Sequence, residues 1–379
     1  MVDFWEKIEM VDLKNQYLKI KSAIDGAIQA CIDHGVFIKG PEVGRFEAQL
    51  ASFLDVKSVV SCANGTDALQ VAMMALDLKP GDEVIVPAFT YVATAEVIGL
   101  LGLTPVMIDV DPFTFNINRQ LVEEAITDKT KLIVPVHLFG QCADMEGILE
   151  IAKAKQIAII EDAAQAIGAG YTFENGTIKQ AGTLGDIGTT SFFPSKNLGC
   201  FGDGGAAYTN NEALAQTVRM IANHGQAKKY VHEAIGINSR LDTIQAAVLI
   251  EKLKHLRDYT EARQKAAAYY DEALGAIADI EIPFRAPYST HVFHQYTLKV
   301  PATVRDDLKD YLQERGIPSM IYYPIPLNEQ RAYQKLGRVV GNLSTTEDLC
   351  RRVLSLPMHT ELTEEELHYI CNSVKAYFT

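Results

Sequence analysis

Between residues 59 and 162 the chain repeats one pattern. "VVSCAN" (59–64) leads into "TDALQVAMMAL" (66–76), and "EVIVPAF" (83–89) into "TAEVIGLLG" (94–102). "PVMIDV" (105–110) leads into "RQLVEEAI" (119–126), "LIVPVH" (132–137) into "MEGILEIAKAK" (145–155), and "IAIIED" (157–162) closes the series. Short, nearly uninterrupted apolar runs are strands buried on both faces, and the intervening stretches carry helical spacing. The arrangement predicts a large mixed, mainly parallel sheet covered by helices. In such sheets ligands bind beyond the C-terminal ends of the strands, so the polar residues at those ends are the candidates for function.

With 379 residues, 48% of them hydrophobic, there is material for such a domain and a smaller appendage. From about 240 to 274 the spacing predicts one long helix bridging two lobes. "HQYTLKV", "RDDLKDYLQERG", "SMIYY" and "TEEELHYICNSVKAYF" predict a smaller α+β unit. The expected division is a large α/β domain over 1–250 and the smaller domain over 251–379, with helices in 1–50 packing on the latter.

Acidic residues outnumber lysine plus arginine 48 to 35, a net charge of −13. That argues against nucleic acid or an anionic membrane as a partner, so local basic groups must meet any anionic ligand. No apolar run approaches the ~20 residues of a membrane span. The first residues lack the basic-then-apolar order of a secretion signal. Six scattered cysteines without metal-ligand spacing predict reduced thiols, no zinc site and a cytoplasmic protein.

Three strand ends stand out. In "CANGTDAL" (62–69), Gly65, Thr66 and Asp67 open a helix whose first N–H groups suit a phosphate; the bland alternative is a cap by Asn64 or Thr66. In "IIEDAAQA" (159–166) an apolar strand ends in Glu161 and Asp162, with Gln165 following; a buried acid must be paired or act on a ligand, the alternative being a cap beside a solvated Glu161. In "SFFPSKNLGCFGDGG" (191–205) a single lysine, Lys196, follows Phe192, Phe193 and Pro194. An apolar setting would lower its pKa and make the amine nucleophilic toward carbonyls. Four glycines between 199 and 205 would allow positive φ and close ligand approach. Their spacing is not that of a dinucleotide-binding loop. Together the three ends offer a phosphate cup, a carboxylate for a pyridine nitrogen and a lysine for a Schiff base, with an aromatic surface in "AFTYVATAE" (88–96). Those are the needs of pyridoxal 5′-phosphate.

At this level of detail the chain resembles the pyridoxal-phosphate-dependent nucleotide-sugar aminotransferases of the DegT/StrS type, which have the aspartate-aminotransferase (type I) fold. The resemblance runs from "DLKNQY" (12–17) to "SLPMH" (355–359), through "NGTDAL", "PAFTYVATAE", "EDAAQAIGA", "TSFFPSKNLGCFGDGGA", "NSRLDTIQAA" and "YYPIPLN". It implies that Lys196 forms the Schiff base and moves the proton, and that Asp162 pairs with the pyridine nitrogen. It also implies that Gln165 sits by the ring hydroxyl, that Tyr91 stacks on the ring, and that Gly65, Thr66 and Ser191 hold the phosphate. Asn238 would complete the phosphate site from a second subunit, making a homodimer part of the active site.

Within the family the motifs look most like the UDP-2-acetamido-2-deoxy-3-oxo-hexuronate aminotransferases, which use L-glutamate to make amino sugars for surface polysaccharides such as O-antigen. There Arg240 would grip the uronate carboxylate, as a planar guanidinium does well, or else form a salt bridge at its helix start. His224, Lys228, Lys229 and Tyr230 in "NHGQAKKY" would meet the diphosphate or uracil, or form a solvated loop. Tyr322, where relatives can carry histidine, is left without a fixed role in sugar recognition. Three other readings compete: an aminotransferase for a neutral dTDP- or UDP-linked 3-keto or 4-keto deoxyhexose, a pyridoxamine-dependent dehydratase, and a non-enzymatic cofactor sensor. Lys196 argues against the dehydratases, which carry histidine there.

Overall fold

The computed structural model describes residues 8–379. The repeating pattern folds as read. Strands β1 (Ser58–Cys62), β2 (Glu83–Pro87), β3 (Thr104–Ile108), β4 (Thr130–Ile133) and β5 (Ala158–Asp162) alternate with helices α4 (Gly65–Ala75), α5 (Ala93–Leu100), α6 (Arg119–Ala125) and α7 (Met145–Lys155). The short hairpin of β6 (Gly170–Thr172) and β7 (Ile178–Gln180) precedes β8 (Ile187–Ser191), β9 (Gly205–Thr209) and α8 (Glu212–Ile221). The eight-stranded sheet has the order β1-β9-β8-β5-β4-β2-β3-β13, the last strand being Arg338–Val339. Its central pairs are parallel, while β9 runs antiparallel to both β8 and β1. The C-terminal ends of β1, β2, β4, β5 and β8 therefore open on one edge.

Successive strand residues point to opposite faces, and the two cores divide accordingly. Val84, Val86, Leu132 and Ile160 pack with α4, α5 and α8. Ile85, Val106, Ile108, Ile133 and Ile159 pack with α6 and α7. By the same alternation Glu161 and Asp162, the last two residues of β5, face opposite layers.

The N-terminal helices α1 (Leu13–Lys19), α2 (Lys21–His34) and α3 (Pro41–Leu54) divide between the two units, where the sequence placed them all on the smaller one. Phe46, Leu50 and Leu54 of α3 are buried against Ala246 and Leu249 of α9 (Thr243–Leu253) and against Val59 of β1. The stretch around α1 reaches the C-terminal unit, through Ile8 in its core, a Gln16–Thr360 hydrogen bond and a Lys19–Glu361 ion pair. The expected single helix over 240–274 is two, α9 and α10 (Leu256–Leu274), broken where His255 leaves helical geometry at φ −105°, ψ 1°. The break separates α9, which is largely buried, from α10, whose Ala266, Ala267, Tyr270 and Leu274 enter the C-terminal core.

That core gathers Ala266, Tyr270 and Leu274 of α10 around β12 (Tyr296–Lys299) and β14 (Val353–Leu356). It adds apolar faces from α11 (Arg305–Glu314) and α13 (Glu364–Phe378), while α12 (Ser344–Arg352) packs on the sheet core. The strands β10 (Gln226–Lys228) and β11 (Val231–His232) form a separate exposed hairpin. No described helix is long and apolar enough to cross a membrane.

Candidate active site

The sheet edge bearing the strand ends surrounds a cavity of about 650 Å³. Asn64, Gly65, Thr66 and Asp67 reach it from the start of α4, Tyr91 from the loop after β2, Asp162 and Gln165 from the end of β5, and Ser191 and Lys196 from the loop after β8. Tyr322 and Tyr323 complete the wall from the C-terminal half of the chain. Eight of the residues singled out in the sequence thus share one space: Gly65, Thr66, Tyr91, Asp162, Gln165, Ser191, Lys196 and Tyr322.

Asn64 is the cap of α4, its Oδ1 accepting from Asp67 N–H at 2.8 Å. The cap leaves the first N–H groups of the helix without intrahelical acceptors, as at any helix start. Gly65 is required here, because a Cβ on it would stand 2.7 Å from the Cβ of Ser191. A cup of backbone donors and one hydroxyl results, at the positive end of a helix dipole.

Asp162 Oδ2 accepts from Thr94 Oγ1 at 2.9 Å and Oδ1 from Ala164 N–H at 3.1 Å, which fixes the carboxylate and leaves acceptor capacity toward the cavity. Gln165 is held at both ends of its amide: Oε1 accepts from Phe139 N–H at 2.8 Å, and Nε2 donates to Tyr323 Oη at 3.1 Å. Tyr91 is more than half exposed, its ring 6.3 Å from that of Tyr323.

Among the described residues Lys196 is the one lysine or arginine on the cavity wall. Burial lowers its amine to about 8, against a smaller opposing pull from Asp162. A substantial fraction is therefore neutral and nucleophilic near physiological pH. Its aromatic setting differs from the expected one: Phe193 is half exposed on the wall, whereas Phe192 points away into the α3–α9 core with its ring 5.3 Å from Phe46. The glycines after it also work differently. None of Gly199, Gly202, Gly204 and Gly205 has positive φ. Gly199 and Gly205 are needed because a Cβ would fall 2.2 Å from Pro194 O and 2.4 Å from Asn64 O, so bare backbone lets the loop close on itself and on the α4 cup.

The remaining predicted residues lie elsewhere. His224, Lys228, Lys229, Tyr230 and Asn238 are exposed, and together with Arg240 they do not line the cavity of their own chain. Asn238 bridges Asn223, and Arg240 borders a second, shallower depression beside Lys39, Glu47 and Arg219. One group of possible metal ligands, Cys31, His34 and Glu42, also gathers outside the cavity. His34 Nδ1 accepts from Val36 N–H, which leaves its proton on Nε2 facing Glu42, and Arg45 holds the other carboxylate oxygen.

A family model described as the DegT/DnrJ/EryC1/StrS aminotransferase family matches residues 18–375. The chain belongs to this family. The aminotransferase is 48% identical to the UDP-2-acetamido-2-deoxy-3-oxo-D-glucuronate aminotransferase of Pseudomonas aeruginosa, over 96% of this chain and 98% of that one. A solved family aminotransferase from Brucella abortus superposes with a TM-score of 0.93 at 42% identity, covering 98% of this chain and all of that one. The NtdA protein of Bacillus subtilis, solved with bound cofactor PMP, gives 0.85 at 33% identity, covering 95% and 82%. The type I aminotransferase fold expected from the sequence is thereby established.

The sequence reading missed four residues of the aminotransferase site. Thr94 holds Asp162, Tyr323 holds Gln165, and His294 and Gln295 line the cavity from the segment before β12. Thr94 lay inside a motif already singled out, three residues after Tyr91. Tyr323 likewise lay inside a quoted motif, beside Tyr322 in "YYPIPLN", whereas His294 and Gln295 open "HQYTLKV", which reads only as part of the smaller unit.

Proposed function

We propose that this aminotransferase binds pyridoxal 5′-phosphate and transfers an amino group from L-glutamate to the 3-keto group of UDP-2-acetamido-2-deoxy-3-oxo-glucuronate, for surface polysaccharide. The observation that carries the reading is the pairing, in one cavity, of a lysine amine lowered to about 8 with a fixed carboxylate at a buried strand end. The substrate follows from the 48% identity to the Pseudomonas aeruginosa enzyme.

The donor set fits the cofactor: Gly65, Thr66 and Ser191 for a phosphate, Asp162 for a protonated ring nitrogen, Gln165 for the ring hydroxyl, Tyr91 for the ring face and Lys196 for the aldehyde. When bound, the cofactor withdraws electrons from the carbon next to the nitrogen being transferred. Asp162, held by Thr94 and Ala164, keeps negative charge where a ring cation needs it. Lys196, its amine lowered to about 8, takes a proton at Nζ and returns it, a contribution of typically ~10²–10⁴-fold. The pair Gln165–Tyr323 fixes one edge of the cavity, and Tyr322 lines the wall beside it, where it would face the sugar.

Asn238, Arg240, His224, Lys229 and Tyr230 belong, on this reading, to the cavity of a second copy. The face around them supports a homodimer. Val36, Phe37 and Ile38 are each nearly half exposed, Ile235 is almost fully so, and the first three are tied to that face through Phe37 O–Thr243 N and Lys39–Asn223.

One observation favours the second reading, a neutral keto-deoxy sugar. The cavity of a single chain presents Asp67, Asp162 and Asp203 against one cation, so a uronate has no basic partner there unless Arg240 supplies it from the second copy. Both readings are tested by incubating the pyridoxamine form with a panel of UDP- and dTDP-linked keto sugars and following the return of visible absorbance. The UDP-linked 3-keto uronate should restore it, with ping-pong initial rates. An Arg240→Ala enzyme fully active on the uronate would shift the assignment to the neutral sugars. Silence across the panel would remove the sugar altogether.

A further inference from the structure

The amide of Gln165 is bonded at both ends, and the order of those bonds decides where a third proton goes. Phe139 N–H donates to Oε1 at 2.8 Å, and a backbone N–H can only donate, so the amide oxygen faces that side. Nε2 therefore faces Tyr323 Oη, 3.1 Å away, and an amide nitrogen also only donates. Tyr323 Oη is the acceptor of this pair, and its own proton is directed elsewhere. Among the described residues nothing accepts that proton, nor the second proton of Gln165 Nε2. Asp162, on the same cavity wall, accepts from Thr94 and Ala164 instead.

Both residues are held where they stand. Phe139 takes left-handed backbone angles, φ 57° and ψ 2°, with its buried ring 5.8 Å from that of Phe115 and 6.5 Å from that of Phe89. A bulky residue is uncommon in that region, and this one carries the N–H that orients Gln165. The Tyr323 ring meets Phe89 edge-on at 6.0 Å and stands 6.3 Å from Tyr91 and 5.9 Å from Tyr322. Burial holds its phenol well above the ordinary pKa; the Gln165 bond opposes this, while Asp162, Tyr322 and Tyr91 add to it. Tyr323 therefore stays protonated at physiological pH and acts as a donor, never as a base.

We propose that Gln165 and Tyr323 form a two-donor cup for a single anionic oxygen, the ring oxygen of pyridoxal 5′-phosphate. Tyr323 O–H gives one hydrogen bond and the second Nε2 proton of Gln165 gives the other. The position suits that atom. Gln165 comes three residues after Asp162, the partner proposed for the ring nitrogen, and Tyr323 neighbours Tyr91, proposed for the ring face. The chemistry suits it too. A charged ring oxygen has lone pairs for two donors, and neutral donors hold that charge without cancelling it as a cation would. By stabilising charge on the oxygen, the cup makes the linked Lys196 nitrogen release its proton more readily. The inference rests on the reading that the cavity takes this cofactor.

The test titrates the full chain, stripped of cofactor, with pyridoxamine phosphate and with its 3-deoxy analogue, which carries hydrogen in place of the ring hydroxyl, by calorimetry. Wild type should prefer pyridoxamine phosphate by ~10–100-fold. Tyr323→Phe keeps the ring and deletes the O–H. It should weaken pyridoxamine phosphate ~10-fold and leave the affinity for the analogue unchanged within about twofold. In the chain loaded with pyridoxal 5′-phosphate, Tyr323→Phe should raise the pH midpoint of the visible band by roughly one unit, because a donor that favours the deprotonated form is gone. An equal loss on both ligands would mean that the hydroxyl only holds Gln165, and overturns the cup. An unchanged affinity for pyridoxamine phosphate, or a midpoint that stays put or falls, overturns it as well. Should Tyr323→Phe not fold, the wild-type preference decides, and equal affinity for the two ligands overturns the cup. Wild type binding neither ligand would overturn the cofactor reading and this inference with it, whereas binding without discrimination overturns the inference alone. No sugar enters these measurements, so they stand apart from the substrate assignment.

Discussion

Glu161 and Asp162 are neighbours at the end of one strand, both buried, both carboxylates, and their surroundings are opposites. Glu161, on the α6–α7 side, accepts from His137 Nε2 at 2.8 Å, from Gly182 N–H at 2.9 Å, and from Leu184 and Gly185 N–H at 2.6 Å each. His137 Nδ1 in turn accepts from Ala143 N–H at 3.1 Å, which fixes the ring proton on Nε2, toward Glu161. Four donors therefore converge on a fully buried carboxylate that does not line the cavity. Asp162, on the α4–α5 side, has two donors and an open aspect on the cavity. A carboxylate with every lone pair engaged holds the fold, here the 182–185 loop, to the sheet. A carboxylate with capacity to spare is available to a ligand.

The largest effect should come from the saturated side. Glu161→Ala strips the acceptor from one imidazole and three backbone N–H groups at a fully buried position, and should destabilise the protein by about 3–5 kcal/mol. Urea denaturation measures this; a loss below ~1 kcal/mol would break the comparison. Asp162→Asn should do the reverse. Its stability should stay within about 1 kcal/mol of wild type, because solvent in the cavity can serve the donors. Its turnover should fall on the order of 10²–10³-fold with the loss of charge at the cofactor ring. Normal turnover in Asp162→Asn would remove the functional half of the contrast.

This contrast was only half legible in the sequence. The apolar run before "ED" and its helix-bearing neighbours located the strand end, and two-residue alternation already implied that the two acids face opposite layers. Which of them was structural depended on His137 and on a loop some 20 residues downstream, neither marked by any local pattern, so a solvated Glu161 remained open. The cavity residues of the first half were readable because strand ends collect function. The contact of Tyr323 was not, although "YYPIPLN" contains the residue, since the Gln165–Tyr323 bond joins residues 158 positions apart and nothing short-range encodes it. The glycines of 199–205 were recognised as necessary for the wrong reason: close backbone packing demands them, and positive φ does not. The long helix failed for a related cause, because helical spacing continues across Lys254 and His255 even though two separate cores claim its halves.

His137→Leu sharpens the comparison at the level of a single donor. It removes one of the four hydrogen bonds to Glu161 and strands Ala143 N–H, both out of reach of solvent, and should destabilise by about 1–3 kcal/mol with little change in turnover per folded molecule. Equal losses in stability and in kcat would mean that the two sides of the strand are coupled.

The smallest effect should be the most discriminating. Thr94→Val keeps the shape of the side chain and deletes the hydroxyl that donates to Asp162 Oδ2. Asp162 borders the cavity, so solvent can replace the lost donor. Stability should fall by only about 0.5–1 kcal/mol, at the low end for a neutral hydrogen bond. The hydroxyl's other effect, fixing the plane of the carboxylate, has no substitute. A freely turning carboxylate meets the cofactor nitrogen with poorer geometry, so turnover should drop several-fold while the sugar KM is unchanged. Denaturation midpoints and steady-state rates on one preparation separate the two. A Thr94→Val enzyme losing as much stability as His137→Leu would show that Asp162 is as dependent on its shell as Glu161, and that openness toward the cavity is not what distinguishes them.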